Sequence, residues 1–217
     1  YISRVLQVEG LGKINFARSV ISYFVLFATL GLNTYGIREG ASLRNNRVQF
    51  QVFFSQVLTI TTITTALSLV LLYSMIFAVD RFSGYRTSML ILSISVVLPT
   101  IGCEWVCAAY EDYGYITIRT ILVQLVSLAL IFLLVRSPED INRYAFILVF
   151  SSQGANIFNF FYIQRYVQFT LTKKVDIRLH LRPMGILLAS SLATTIFVSS
   201  DTTILGLLTD EYYTGLY

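Results

Sequence analysis

Apolar residues in this chain are grouped into long stretches that contain no Asp, Glu, Lys or Arg. Six such stretches are present, at residues 19–37, 48–79, 87–103, 120–135, 144–164 and 183–200. A helix needs about 20 mainly apolar residues to cross the roughly 30 Å of hydrocarbon in a bilayer, and each stretch reaches or nearly reaches that length with its flanks. The pattern predicts an all-α, polytopic transmembrane helical bundle with about six full spans.

Prolines and polar residues near the ends of the stretches predict helix boundaries. Ser137 suits a helix N-cap, with Pro138 in the first helical position and two acids in the first turn. Pro183 is expected in the first turn of the last span for the same reason. Pro99, inside the third stretch, is expected to kink its helix because it removes a backbone hydrogen bond.

The two ends of the sequence are expected to belong to further spans. Residues 1–13 resemble the tail of an earlier span followed by a loop, and residues 210–217 resemble the start of a later span. The loops between the six stretches are short, and no segment has the pattern of a soluble domain. The sequence therefore predicts a single membrane domain.

Composition supports the membrane interpretation and excludes several other classes. Hydrophobic residues make up 55% of the 217 residues and charged residues only 13%, against about 25% charged in a typical soluble domain. So few charges cannot cover the surface of a soluble protein of this size. The same composition excludes intrinsic disorder. The net charge of +4 is spread over several short segments, which argues against a nucleic-acid-binding module.

The loop cations predict an orientation in the membrane. Alternate loops form two sets, and the more basic set holds nine cations: Arg38, Arg44, Arg47, Arg119, Arg165, Lys173, Lys174, Arg178 and Arg182. The other set holds six: Arg4, Lys13, Arg81, Arg86, Arg136 and Arg143. Because cytoplasmic loops carry the excess of Lys and Arg, the nine-cation set should be cytoplasmic. Within it, alternation of apolar and polar residues at 165–182 favours an extended segment over an amphipathic helix.

No sequence motif for catalysis or cofactor binding is present. The chain lacks a glycine-rich phosphate loop, a nucleophile elbow and paired carboxylates on a substantial loop. Cys103 and Cys107 would share a helix face, but two thiols without further Cys or His ligands do not form a zinc site. His180 is expected at the surface or at an interface. We therefore expect a protein that is not an enzyme and needs neither cofactor nor metal.

Two charged residues stand out because of the apolar residues around them. Asp201 is the single charge within residues 183–209, and a carboxylate at the centre of a membrane helix costs roughly 2.5–3.5 kcal/mol. It is interpreted as the partner of an arginine, as the N-cap at a helix break before Thr202, or as a substrate or ion-coupling residue. Arg18, at the edge of the first stretch, is either a side chain that extends to the membrane interface or part of a site.

Uncharged polar residues form two further groups within the stretches. Gln153, Asn156 and Asn159 are spaced by three residues and therefore lie roughly on one helix face. They are interpreted either as interhelical hydrogen-bonding residues or as the lining of a path for a hydrophilic substrate. The five threonines within residues 59–65 allow the same two interpretations.

Ordered short segments along the whole chain form a recognisable combination. They are Tyr1-Ile2-Ser3-Arg4-Val5-Leu6 with Gly10-Leu11-Gly12-Lys13, Tyr35-Gly36-Ile37-Arg38-Glu39-Gly40-Ala41, Glu104-Trp105, Tyr115-Ile116-Thr117-Ile118-Arg119, and Asp201-Thr202-Thr203-Ile204-Leu205-Gly206 with Tyr213-Thr214-Gly215-Leu216-Tyr217. From residue 1 to residue 217 the chain resembles the Wzx-type oligosaccharide flippases. These belong to the polysaccharide transporter family of the multidrug/oligosaccharidyl-lipid/polysaccharide exporter superfamily. The segment at residues 35–41 is the most specific piece.

The resemblance implies a two-lobed exporter fold around a central cavity. Residues 1–182 would form most of the N-terminal lobe without its first helix, and residues 183–217 the first helix of the second lobe with the following loop. The implied activity is the translocation of undecaprenyl-diphosphate-linked oligosaccharide across the bacterial cytoplasmic (inner) membrane, for O-antigen of lipopolysaccharide, capsule or a related glycan. Membrane lipids and other polysaccharide assembly proteins would be further partners, and nucleic acid would not.

The expected site residues follow from this implied substrate. A guanidinium binds phosphate through paired hydrogen bonds and keeps its charge at any cellular pH, which makes Arg4, Arg18 and Arg38 the candidates for the diphosphate. The candidates for sugar hydroxyls are Gln153, Asn156 and Asn159. Asp201 is expected to couple to an ion or to pair with one of the arginines.

Two other functions are compatible with a polytopic membrane protein. A multidrug exporter of the same superfamily would favour a more acidic or more apolar cavity, whereas intramembrane acids are scarce here. A membrane polysaccharide polymerase or ligase would need a large outer loop with Arg, His or carboxylates. The loops expected on the outer side, at residues 80–86 and 136–143, are short.

Overall fold

The protein is a bundle of α-helices joined by short connections. The computed structural model describes residues 1–209 and 211–216, and it contains no β-strand within them. The helices are α1 (Ile2–Val5), α2 (Gln7–Thr29), α3 (Leu32–Leu43), α4 (Arg47–Ala78), α5 (Arg86–Leu92), α6 (Ile94–Gly102), α7 (Glu104–Ala109), α8 (Tyr113–Leu134), α9 (Ile141–Gln153), α10 (Ala155–Tyr162), α11 (Ile177–Leu208) and α12 (Glu211–Leu216). Short 3-10 turns lie at Asp80–Tyr85, Pro138–Asp140 and Ile163–Arg165.

The prediction of an all-α polytopic membrane bundle is confirmed. Five helical runs within the described residues are long and apolar enough to cross a membrane: Gln7–Leu43, Arg47–Ala78, Asp80–Ala109, Tyr113–Leu134 and Ile177–Leu208. A sixth span is formed if the pair Pro138–Gln153 and Ala155–Arg165, bent by 41°, is counted as one. Ser137, the predicted N-cap at the start of this pair, forms a capping box with Asp140.

The first span starts earlier than the charge-free stretch suggested. The prediction of a loop up to residue 13 is wrong, because α2 begins at Gln7 and contains both Lys13 and Arg18. Buried Gly10 and Gly12 lie in its first two turns. Long cationic side chains can follow an apolar surface towards water, so they do not have to end a membrane helix.

The last span also starts earlier, at Ile177, so the prediction that Pro183 lies in its first turn is wrong. The Asp176 side chain caps this helix by accepting a hydrogen bond from the Leu179 N–H at 3.2 Å. Pro183 removes only the hydrogen bond that the exposed Leu179 carbonyl would otherwise accept. Residues 167–176 are not helical, as expected, but from Ile177 onward the prediction of an extended segment is wrong.

The segment expected to lead into a later span contains a short helix. Among the residues predicted to start such a span, 210 and 217 lie outside those that the structure describes. Between them, α12 is a six-residue helix that packs against α2. Gly215 allows this contact, since a Cβ there would lie 1.9 Å from the Val8 carbonyl oxygen.

Small residues let α3 approach α7 closely. A Cβ on Gly36 would lie 2.6 Å from the indole of Trp105, and one on Gly40 would lie 3.2 Å from it. Trp105 is buried among Phe50, Phe53 and other residues of the largest core cluster. Glycines four residues apart on one helix face are a common device for packing membrane helices. Pro99 lies inside the preceding helix α6, which ends at Cys103 in a left-handed conformation with φ of 41°.

Hydroxyl groups of α4 join this helix to its neighbours. Thr64 donates to the Ala28 carbonyl at 2.7 Å and Ser68 to the Phe24 carbonyl at 2.8 Å, both on α2. Thr65 shares a buried 2.7 Å hydrogen bond with Thr100 of α6. Of the two interpretations of the threonine run, these contacts favour interhelical hydrogen bonding.

Polar contacts define two opposite ends of the bundle. At one end, Arg44 Nη1 lies 2.7 Å from Glu111 Oε1, Arg47 Nη2 donates to the Arg165 carbonyl at 3.3 Å, and Arg165 pairs with Asp112. These loops all belong to the nine-cation set. We call this end the basic end.

The opposite end of the bundle brings together loops of the six-cation set. The Tyr1 hydroxyl donates to the Val135 carbonyl at 2.8 Å. Arg81, just after α4, donates to the Gly206 and Thr209 carbonyls at the end of α11, at 3.3 and 2.5 Å. Thus α4 and α11 both run from the basic end to this end.

Candidate functional site

A polar cavity of about 200 Å³ lies between α2, α5, α6 and α9. Its polar lining residues are Arg18, Ser22, Ser95, Ser152 and Gln153, and its apolar ones are Ile21, Val25, Leu92, Leu148 and Val149. Residues four apart lie on one helix face. This spacing places Arg18 and Ser22 of α2 side by side, and Leu148 and Ser152 of α9 likewise.

The hydrogen-bonding capacity of the cavity favours an anionic or hydroxylated ligand. Gln153 Oε1 accepts a 2.8 Å hydrogen bond from Asn156 Nδ2, so the donor side of the Gln153 amide is left for the cavity. The Ser22 and Ser152 hydroxyls donate to carbonyls of their own helices, at 2.7 and 2.8 Å, and keep acceptor capacity. Arg18 supplies a permanent cation, and the described lining residues include no carboxylate.

The three residues of the predicted polar face have different surroundings. Only Gln153 lines the cavity. Asn156 and Asn159 are buried, and a Cβ on Gly102 of α6 would lie 2.2 Å from Asn156 Oδ1. Asn159 Nδ2 donates weakly to Asn156 Oδ1 at 3.5 Å. The structure therefore places these two asparagines in the contact between α10 and α6, where they continue the chain of amides that starts at Gln153.

A second cavity, of about 260 Å³, shares Ser22 and Val25 with the first. The other lining residues come from α2, α11, the α2–α3 turn and α3: Leu26, Thr29, Gly31, Asn33, Thr34, Ser191 and Thr195. The sequence analysis missed Asn33, Thr34, Ser191 and Thr195. In the sequence they are uncharged polar residues, with Ser191 and Thr195 four positions apart, and they stand on two helices that only the tertiary structure places together.

Asp201 lies on an exposed face in the interior of α11 and accepts a hydrogen bond from the Ser200 hydroxyl at 3.4 Å. The interpretation as an N-cap at a helix break is wrong, because α11 is continuous from Ile177 to Leu208. On either side of Asp201, α11 contacts α2 through polar pairs. Thr203 Oγ1 lies 3.1 Å from Ser19 Oγ, and Ser22 Oγ lies 3.5 Å from Ser199 Oγ.

The structure does not bring the three candidate arginines together. Arg4, in α1, Arg18, in α2, and Arg38, in α3, are all exposed. Arg38 lies at the basic end, where its Nη2 is 3.1 Å from Glu39 Oε1, whereas α1 lies at the opposite end. Of the three, only Arg18 faces the polar cavity.

A buried arginine that the sequence analysis placed in a loop lies inside α8. Arg119 is 5% exposed and its Nη2 lies 2.9 Å from Glu104 Oε2; its guanidinium also lies 5.5 Å from the centre of the Tyr115 ring. The assignment of Arg119 to a loop is therefore wrong. Sequence position could not reveal this ion pair, because its two members stand on different helices.

His180 is buried, contrary to the expectation of a surface or interfacial residue. It is 2% exposed, with Nδ1 2.8 Å from the Tyr35 hydroxyl and Nε2 2.6 Å from Gln56 Oε1. Since a carbonyl oxygen only accepts, Nε2 carries the proton and Nδ1 accepts from Tyr35. This pair of hydrogen bonds fastens the start of α11 to α3 and α4.

The two cysteines are buried and unpaired, as expected for packing residues. Cys103 is the left-handed residue between α6 and α7, and Cys107 lies on α7. No group of three or more His, Cys, Asp or Glu residues in the described part of the chain could hold a metal ion.

A cluster of aromatic rings and one ion pair closes the basic end. The Asp112 carboxylate accepts hydrogen bonds from the Tyr162 hydroxyl at 2.5 Å and the Tyr166 hydroxyl at 3.0 Å, and it pairs with Arg165. The Arg165 guanidinium lies 3.8 Å from the centre of the Tyr162 ring. The Tyr162 hydrogen bond first, then that of Tyr166 and the Arg165 charge, hold the pKa of Asp112 below its usual value of 3.8.

One family comparison covers the entire chain. The sequence profile of a family described as "Polysaccharide biosynthesis protein" matches residues 1–217. The chain belongs to this polysaccharide biosynthesis protein family. Searches among curated proteins and among solved structures find no match.

Family membership and the fold together give a coarse statement of function. The protein is a multi-pass membrane protein with a role in polysaccharide biosynthesis. Two of the segments that carried the resemblance, residues 35–41 and the Glu104-Trp105 pair, pack against each other in the structure through Gly36, Gly40 and Trp105. At these positions the structure gives the segments a packing role.

Proposed function

We propose that this polysaccharide biosynthesis protein is a Wzx-type flippase of the bacterial cytoplasmic membrane. It would translocate undecaprenyl-diphosphate-linked oligosaccharide for O-antigen, capsule or a related glycan, as part of a two-lobed exporter. The observation that carries the proposal is the polar cavity inside a membrane bundle, with Arg18 and Gln153 as donors and no carboxylate among its described lining residues. A site for cationic drugs would need the opposite charge.

The two adjoining cavities suggest which residues would bind each part of such a substrate. Arg18 would bind the diphosphate, since a guanidinium offers paired donors to phosphate oxygens. Gln153 and the serines of the first cavity, together with the hydroxyl and amide groups of the second, would bind sugar hydroxyls. Asn156 and Asn159 would position Gln153, while Arg4 and Arg38 would meet the substrate only as it enters or leaves. Asp201 would couple transport to an ion.

The test is complementation of a strain that lacks its own flippase, with the whole protein carrying Arg18→Gln. Loss of a charge-assisted hydrogen bond of about 1.5–3 kcal/mol should reduce glycan export at least about tenfold at unchanged abundance, with partial rescue by Arg18→Lys. Arg136→Gln, an exposed arginine outside the cavity, is the matched control and should export normally.

Normal export by Arg18→Gln would remove Arg18 from the site. Failure of the unmodified protein to relieve accumulation of the lipid-linked oligosaccharide would contradict the flippase proposal itself. Drug resistance conferred by that same protein would then favour the multidrug exporter.

A further inference from the structure

A third cavity lies at the outer surface of α4, and the connection between α10 and α11 forms one of its walls. The lining of this crevice of about 520 Å³ includes Ile60, Ile63, Val175, Ile177 and Leu181, together with Lys173. Most of its lining is aliphatic, and Ile63, Ile177 and Leu181 are exposed by 62%, 56% and 42%. It is separate from the cavity that holds Arg18.

Hydrogen bonds fix this wall to α4. Gln51 both donates to the Gln168 carbonyl and accepts from the Gln168 N–H, each at 2.8 Å. Four residues along α4, Ser55 shares a 2.8 Å hydrogen bond with Thr170. The next turn repeats the pattern, because Thr59 Oγ1 accepts from the Thr172 N–H at 3.0 Å. The extended segment therefore follows one face of α4, and the crevice is preformed.

Helix length places the mouth of the crevice at the level of lipid head groups. Both α4 and α11 have 32 residues, or about 48 Å at 1.5 Å per residue, against roughly 30 Å of hydrocarbon. Arg81 joins the C-terminal ends of the two helices at the end of the bundle opposite the basic end. The helix length that exceeds the hydrocarbon thickness therefore lies at the basic end. About 20 residues counted back from Ala78 reach Thr59, which binds Thr172, the residue before Lys173.

The cations around the mouth form no ion pair within the part of the chain that the structure describes. Lys173, Lys174, Arg178 and Arg182 are exposed and form no ion pair with any described residue. The other acids at this end are paired with Arg38, Arg44, Arg119 and Arg165. Asp176 instead caps α11. Four cations against the one carboxylate of Asp176 therefore leave a net positive cluster beside the open aliphatic crevice.

We propose that this crevice is a binding site for an anionic phospholipid. One acyl chain lies against the aliphatic lining, and the phosphate binds Lys173 and Lys174, with Arg178 nearby. Juxtamembrane cations attract anionic lipids by about 1 kcal/mol each, and apolar burial of the chain adds the affinity that free phosphate lacks. The site does not depend on the proposed transport activity.

Native mass spectrometry of the purified whole protein tests the site. Dioleoyl-phosphatidylglycerol should bind more tightly than dioleoyl-phosphatidylcholine, while inorganic phosphate and dihexanoyl-phosphatidylglycerol should bind weakly. The double variant Lys173→Gln/Lys174→Gln should lose about fivefold in phosphatidylglycerol affinity per cation, or about 30-fold in total. Ile63→Trp, at an exposed position, should fill the crevice and weaken long-chain binding only. Arg136→Gln, at the opposite end, should change nothing.

Other results would overturn the proposal. Unchanged phosphatidylglycerol binding by the double variant would show that these lysines do not bind the head group. Equal binding of short-chain and long-chain lipid would remove the crevice from the site. A polyprenyl phosphate that displaces phosphatidylglycerol at lower concentration would assign the crevice to the carrier lipid instead.

Discussion

At the scale of single residues, Asp112 shows how one carboxylate joins three segments at the basic end. The Tyr162 and Tyr166 hydroxyls and Arg165 all favour its ionised form, which lowers its pKa. A carboxylate with a lowered pKa stabilises the fold when the pH is above its unfolded-state pKa of about 3.9. That contribution is lost as the pH falls through its folded-state pKa.

Asp112→Asn should therefore lower the thermal unfolding temperature at pH 7, and the difference from the unmodified protein should shrink towards pH 3. Thermal unfolding at several pH values, followed with the purified protein, measures both. Asp80→Asn, a carboxylate that pairs with no cation among the described residues, serves as the control. A difference that stays constant down to pH 3 would show that the charge of Asp112 contributes nothing.

At Asp201, too, substitution by Asn removes the charge of the side chain and keeps its shape. Since α11 is continuous there, substitution by Asn should not disturb a helix start. If Asp201 couples transport to an ion, Asp201→Asn should leave abundance normal and reduce glycan export. If it neutralises an arginine, abundance should fall because a cation is left unpaired. Abundance and export measured on the same cells distinguish these outcomes, and normal values for both would exclude a coupling role.

At the scale of helices, the contact between α3 and α7 depends on the absence of side chains at Gly36 and Gly40. A methyl group at Gly36 would lie 2.6 Å from the Trp105 indole, which is buried and cannot move away. Gly36→Ala should therefore destabilise the protein by about 1–3 kcal/mol through overpacking.

Gly185 provides a matched control for this substitution, because it lies inside α11 and a Cβ there would meet nothing within 4 Å. Gly185→Ala should be neutral or stabilising, since Ala is favoured over Gly in a helix by roughly 0.5–1 kcal/mol. Thermal unfolding of both variants in detergent gives the comparison. Equal stability of the two would mean that α3 and α7 are not in tight contact.

At the scale of the whole molecule, the loops of the nine-cation set meet at one end of the bundle. The bundle therefore has two possible orientations in the membrane. The excess of Lys and Arg favours a cytoplasmic basic end. A reporter that is active only in the periplasm should be silent when fused at Lys173 and active when fused at Arg136. The reverse pattern would invert the orientation and would place the proposed lipid site in the outer leaflet.

The sequence by itself determined the class of the protein and, when the bent pair is counted as one span, the number of its spans. The thickness of the hydrocarbon layer requires long apolar stretches. Backbone N–H and C=O groups in lipid must be hydrogen-bonded, and a single stretch satisfies its own groups by forming a helix. The Ser137 cap was equally predictable, because its partners are adjacent in sequence. The starts of α2 and α11 were not, since Lys13, Arg18, Arg178 and Arg182 interrupt the apolar pattern without interrupting the helices.

Only the tertiary structure decided which polar residues share an environment. Arg18 and Gln153 line one cavity although 135 positions separate them, whereas Asn156, close to Gln153 in sequence, is buried against Gly102. Arg119 is buried beside the Glu104 carboxylate of another helix, and His180 is buried because Tyr35 and Gln56 on other helices satisfy its ring nitrogens. Burial of a polar group depends on its hydrogen-bonding and charged partners, and partners on different helices are set by packing rather than by spacing along the chain.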